Sequence, residues 1–155
     1  MNNAFMTHAI QLAIEGPRCN RGGPFGAVMV KDAKIIAEAV NQVSSTNDPT
    51  AHAEILAIRK ACQLLHRFEL KDCELYTSCE PCPMCLGAIY WARLSRIFFA
   101  NTAEDAARIG FDDSSIYDEL KKPHWERRIP AVQIKRTEAL AAFSAWSDKT
   151  DKTRY

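Results

Sequence analysis

Ser78-Cys79-Glu80-Pro81-Cys82-Pro83-Met84-Cys85 holds three cysteines in eight residues, and the rest of the chain is read around it. On the first turn of a helix, Cys82 and Cys85 share a face. A helix start also offers exposed N–H groups and a positive dipole end, which favour thiolates. Upstream, Pro49-Thr50-Ala51-His52-Ala53-Glu54 supplies a His-x-Glu. Two thiolates and one imidazole suit a Zn²⁺ that keeps its fourth position open to water, with Glu54 left to move protons. Two plainer readings compete. Cys79, three residues before Cys82, would complete a closed structural site, and His52 alone reads equally well as a buried, hydrogen-bonded histidine. The two motifs together favour the open site, with His52, Cys82 and Cys85 as ligands to one zinc and Cys79 as a neighbour.

The chain has 155 residues, a length that fits one domain with a sizeable core. Apolar residues make up 47% and charged residues 25%, the profile of a soluble globular protein. Twenty basic against 19 acidic side chains leave a net charge of +1, which argues against a dedicated nucleic-acid binder. No apolar run approaches a membrane span, and Met1-Asn2-Asn3-Ala4-Phe5 lacks the basic and apolar regions of a signal peptide. Without a leader, the 6 cysteines read as metal or catalytic residues before disulfides, and the cytoplasm is the default location. Cys62 reads as core, Cys73 as a residue bordering a strand, and Cys19 as a loop residue.

Apolar spacing predicts a helix over residues 2 to 15, ended by Gly16-Pro17. A hairpin of Phe25 to Val30 and Lys34 to Val40 follows, then a polar loop from Asn41 to Pro49. The second helix is expected from near Asp48 or Thr50 to Leu65. A third strand is expected at Glu74 to Thr77, a helix from Pro81 or Cys82 to about Arg93, and a fourth strand at Arg96 to Ala100. Helices at Thr102 to Arg108 and Ser114 to Lys121, a fifth strand at Ala131 to Arg136 and a last helix at Leu140 to Trp146 complete the pattern. Strands alternating with helices imply an α/β layered domain with part of its sheet parallel. Aromatic residues at a helix end usually pack inward, so Tyr90 and Trp91 read first as core.

A His-x-Glu followed by Pro-Cys-x-x-Cys is the signature of zinc-dependent nucleobase deaminases. The chain resembles the cytidine deaminase superfamily, and within it the short bacterial guanine deaminases. The likeness runs through 22–28, 47–54, 77–93 and Gly110-Phe111-Asp112-Asp113, so it spans nearly the whole chain. Tyr90-Trp91-Ala92 and Gly110-Phe111-Asp112-Asp113 point to guanine. The resemblance implies a three-layer α/β/α fold with a five-stranded mixed sheet and helices on both faces. It also implies a homodimer whose C-terminal segment, about 137–155, swaps between subunits as a lid. The implied reaction is hydrolytic deamination of guanine to xanthine and ammonia, in purine catabolism or salvage.

For that reaction Glu54 is the proton carrier. Asp113, with Asp112 as the alternative, matches the family position that accepts hydrogen bonds from the ring N–H and the amine. Local sequence alone would make both residues caps for a following helix. Asn41 can present donor and acceptor to the carbonyl edge, and Phe25 can stack on the purine. By resemblance, Trp91 and Tyr155 join the substrate contacts and Glu138 is a second proton shuttle. The rivals share the fold but act on guanosine, cytosine, an aminotriazine such as ammeline, or tRNA adenosine. A non-catalytic zinc-stabilised interaction domain is the rival of another class, against which an intact Glu54 counts.

Overall fold

The structure, a computed structural model, describes residues 3–154. These form two compact units, one ending at Asp113 and the other beginning at Ser114. In the first unit, α1 (Asn3–Arg18) is followed by the hairpin β1 (Gly26–Lys31) and β2 (Lys34–Val40). A single turn, α2 (Val43–Thr46), leads to α3 (Ala53–Leu65). Then come β3 (Cys73–Cys79), α4 (Pro83–Trp91), β4 (Arg96–Asn101) and α5 (Ala103–Arg108). The strand order is β2-β1-β3-β4. β1 pairs antiparallel with β2 and β3, and β3 pairs parallel with β4, with α4 as the crossover.

The side chains of β1 alternate between two cores, as a strand with both faces covered requires. Ala27 and Met29 join Leu75, Ala57, Ala61 and Ile89 on the face covered by α3 and α4. Val28 and Val30 join Tyr76 and Ala9 on the face covered by α1. Three layers result, as expected. Gly26 lets α1 lie close on the sheet: a Cβ there would sit 2.4 Å from the Ala9 carbonyl oxygen.

The sheet has four strands among the described residues, where five were expected. Residues 131–135 are irregular and exposed, and Lys135 turns into the left-handed region to start α7 (Arg136–Asp148), so the last helix begins well before Leu140. The second unit also holds α6 (Ser114–Lys121), whose ends match the expectation, and a 3₁₀ turn at His124–Glu126. Elsewhere other ends shift by one or two residues, and three differences are larger. α1 runs through Pro17 to Arg18. The expected polar loop contains α2. α3 starts late, because the Asp48 carboxylate accepts hydrogen bonds from the Thr50 N–H and hydroxyl at 2.8 and 2.7 Å, which makes a turn there instead of a helix. No described helix is long and apolar enough to cross a membrane.

Candidate active site

Two helix starts converge. His52 is the N-cap of α3 and Cys82 the N-cap of α4, both in extended conformation, with Pro83 at the first helical position and Cys85 one turn in. The backbone there places His52 Nδ1 3.6 Å from Cys82 Sγ and 3.5 Å from Cys85 Sγ. All three donor atoms lie within 4.8 Å of one another. Tetrahedral ligation at ordinary zinc bond lengths separates a sulfur from a nitrogen by ~3.6 Å, so the set fits Zn²⁺ without rearrangement. Cys79 is not in the cluster, which disfavours the closed four-ligand site.

The electrostatics agree with the geometry. Hydrogen bonding from the Cys85 thiol, with help from His52, pulls the Cys82 thiol down to about 4. The same contact and burial push Cys85 up. The Cys82 thiolate in turn raises His52. Three donors close enough to compete for a proton are close enough to share one cation. Cys79, by contrast, is pushed up to about 11, chiefly by burial, and its thiol approaches the Thr102 carbonyl at 3.5 Å.

Glu54 sits in the first turn of α3, two residues past His52, and is only 6% exposed. Burial raises its carboxyl above the usual carboxylate range. Its Oε1 accepts a hydrogen bond from the Thr77 hydroxyl of β3 at 3.3 Å. His52, Cys82 and Glu54 open onto a cavity of about 450 Å³, ample for a nucleobase with water.

Asn41, Phe25 and Asp113 line the same cavity, as does Asp112. The Asn41 side chain is buried, and its Oδ1 accepts from the Gly23 N–H at 3.1 Å and the Val43 N–H at 3.2 Å. With the oxygen so committed, Asn41 offers the cavity its amide N–H₂, a donor only, where both roles were expected. Gly22 makes room for this: a Cβ there would lie 2.4 Å from the Asn41 carbonyl oxygen. Asp113 is raised, mainly by burial and then by the nearby Cys82 thiolate.

Other expected residues fall elsewhere. Trp91 and Tyr90, at the end of α4, are 71% and 75% exposed, so the core reading of both is corrected; the short helix turns them outward. The structure does not bring Trp91 to the cavity. Glu138 lies exposed in the first turn of α7, and Tyr155 lies outside the described residues. Phe111 and Glu80 are among the cavity residues that the sequence left without a role. The Phe111 ring meets Phe25 edge to face, centroids 4.9 Å apart and planes at 89°. Glu80 lines the cavity between Cys79 and the ligand loop. An apolar residue after Gly110 in a polar stretch was the available signal for Phe111, and none marked Glu80.

Residues 1–101 match the family model for the cytidine and deoxycytidylate deaminase zinc-binding region. The chain belongs to this deaminase family. It is 56% identical over 154 residues to the guanine deaminase of Bacillus subtilis, covering 99% of both chains. A crystal structure of the B. subtilis guanine deaminase superposes with a TM-score of 0.97 at 57% identity, covering 100% of this chain and 99% of that one. A guanine deaminase from Nitrosomonas europaea matches at a TM-score of 0.68 and 33% identity, over 73% of this chain and 65% of that one. The tRNA-specific adenosine deaminase of Aquifex aeolicus is 41% identical over 106 residues, 68% of each chain. The matched region contains His52, Cys82 and Cys85, so the family supports zinc as the cation this cluster holds.

Proposed function

We propose that the chain deaminates guanine hydrolytically, giving xanthine and ammonia, with one zinc per subunit held by His52, Cys82 and Cys85. The observation that carries the substrate is the full-length likeness to a guanine deaminase, since the adenosine deaminase likeness leaves out about a third of the chain. The cavity supports it. Its lining carries the carboxylates of Glu54, Glu80, Asp112 and Asp113 and, among the described residues, no Lys or Arg. Such a wall repels phosphates, which disfavours a tRNA or nucleotide substrate.

Zinc, when bound, supplies a Lewis acid that lowers the pKa of a coordinated water. Glu54 takes a proton from the attacking water and passes it to the ring nitrogen beside carbon 2. Glu54, with Glu138 as the further shuttle in this reading, then takes the remaining proton from the added hydroxyl and delivers it to the departing amine. Water adds at carbon 2 and ammonia leaves it. Asp113 accepts from the ring N–H and exocyclic amine. Asn41 donates to the ring carbonyl, and Phe25 offers its ring to the purine face.

The same reading makes the protein a cytoplasmic homodimer, in which the segment of about 137–155 closes the other subunit's site and brings Tyr155 and Glu138 to it. Large apolar side chains of the second unit support burial by a partner: Trp125, Ile129, Val132, Ile134 and Phe143 are each more than 70% exposed.

The test is ammonia release from guanine, guanosine, adenine, cytosine, cytidine and ammeline. Guanine is expected to turn over fastest. Turnover of another base with guanine inert would overturn the substrate and leave the zinc site standing.

A further inference from the structure

α5 forms one wall of the cavity, yet none of its residues is buried. Ala103 and Ala106 face the cavity, and the segment after α5 brings Phe111, Asp112 and Asp113 to it. An element with no fully buried residue gains little from hydrophobic packing, so polar contacts help to set its position. Its own capping box, in which Thr102 and Asp105 exchange hydrogen bonds, only rigidifies it internally. Its far end turns on Gly110 at φ +92, which lets the Phe111 N–H reach the Ala106 carbonyl at 3.0 Å. Phe111 then rests on Phe25.

The near end is tied by Glu80. Its carboxylate accepts a hydrogen bond from the Ala103 N–H, the first amide of α5, at 3.1 Å. Its own N–H donates to the Asn101 carbonyl at 2.8 Å, the last residue of β4. Glu80 is also two residues from Cys82, so one residue joins the metal loop to the wall that carries the guanine-reading carboxylates.

We infer that Glu80 is a positioning residue: it fixes α5, and through α5 the segment 110–113, relative to the metal-ligand loop. The inference rests on the proposed role of Asp113 towards guanine. Only an oxygen acceptor is needed for it, not a charge, and Gln supplies one.

The variants Glu80→Ala and Glu80→Gln test it. Glu80→Ala should raise the KM for guanine about tenfold, the upper end of what one hydrogen bond contributes, with kcat little changed and zinc content equal to that of the parent. Glu80→Gln should restore most of the parent KM. Equal damage from both variants would mean the charge acts directly, and an unchanged KM in Glu80→Ala would mean the tie is idle; either overturns the inference. Hydrogen exchange over residues 103–113 decides the tie without substrate. Faster exchange in Glu80→Ala and not in Glu80→Gln is expected, and unchanged exchange in Glu80→Ala refutes the tie. If the parent enzyme fails on guanine, the substrate reading falls, while the exchange result still decides the tie.

Discussion

Glu54 is almost fully buried, with a hydroxyl partner in Thr77 and a carboxyl lifted by burial. A carboxylate in that setting is poised to accept a proton and to give it up again, which general acid/base chemistry needs. Gln at this position keeps the shape and removes the proton. Glu54→Gln is expected to lower kcat by at least ~10²–10⁴-fold while zinc content stays at one per subunit. Metal analysis beside the ammonia assay checks both halves, and a variant keeping most of its turnover would sink the role. Phe111 acts at the same scale by a different means. An edge-to-face pair contributes about 0.5–1.5 kcal/mol beyond burial, and losing it frees Phe25. Phe111→Ala should therefore raise the KM for guanine several-fold, with a thermal midpoint close to the parent's because the ring is 47% exposed.

Helix starts, strand ends and turns decide how those residues meet. His52 and Glu54 were legible because both lie on one short stretch, and Cys82 and Cys85 because i, i+3 spacing implies a shared face. Their meeting across 30 residues needed the parallel β3–β4 crossover, which the alternation of strands and helices implied. The hairpin strands were legible to within a residue, since Lys31-Asp32-Ala33 breaks the pattern with two residues at positive φ. What failed has a local cause in each case. The Asp48 side chain competed with the helix start, and residues 131–135 have strand-like Val132 and Ile134 but no neighbour to pair with among the described residues. Glu80 carried no signal because its partner, Ala103, is 23 residues away in the chain, and Phe111, though part of a quoted motif, gave no sign of meeting Phe25, 86 residues away.

Asp72 belongs to this scale too. It precedes β3 and meets Lys31 at the end of β1 at 3.1 Å and Arg67 just past α3. Its hydrogen bonds to Lys31 and then Arg67 hold its carboxyl down at about 2. A depressed folded value means its contribution is present above the unfolded pKa of ~3.9 and is lost as pH falls through about 2. Asp72→Asn should therefore be less stable than the parent at pH 6. The gap in urea midpoint should close as the pH falls from 4 towards 2. A gap independent of pH would show that the pairs, screened at the surface, contribute nothing.

At the scale of the whole molecule, residues 114–154 carry no buried side chain, although they include two helices of 8 and 13 residues. Trp125, Val132 and Phe143 are exposed large apolar side chains of this segment, of the kind a partner surface covers. In the proposed dimer that surface is the other subunit, so each working site takes Glu54 from one chain and its tail from the next. The arrangement predicts complementation. Glu54→Gln has an intact tail and a dead site, and a chain ending after Arg136 has an intact Glu54 and no tail; each alone should be inactive. Expressed together, half of the dimers pair one chain with the other, and each such dimer holds one complete site. The mixture should then reach about a quarter of parent activity per dimer. Differently tagged chains allow the mixed dimer to be purified and shown to exist. If that dimer forms and stays inactive, the tail serves its own subunit and the swap is wrong, with the zinc site and the chemistry of Glu54 unaffected.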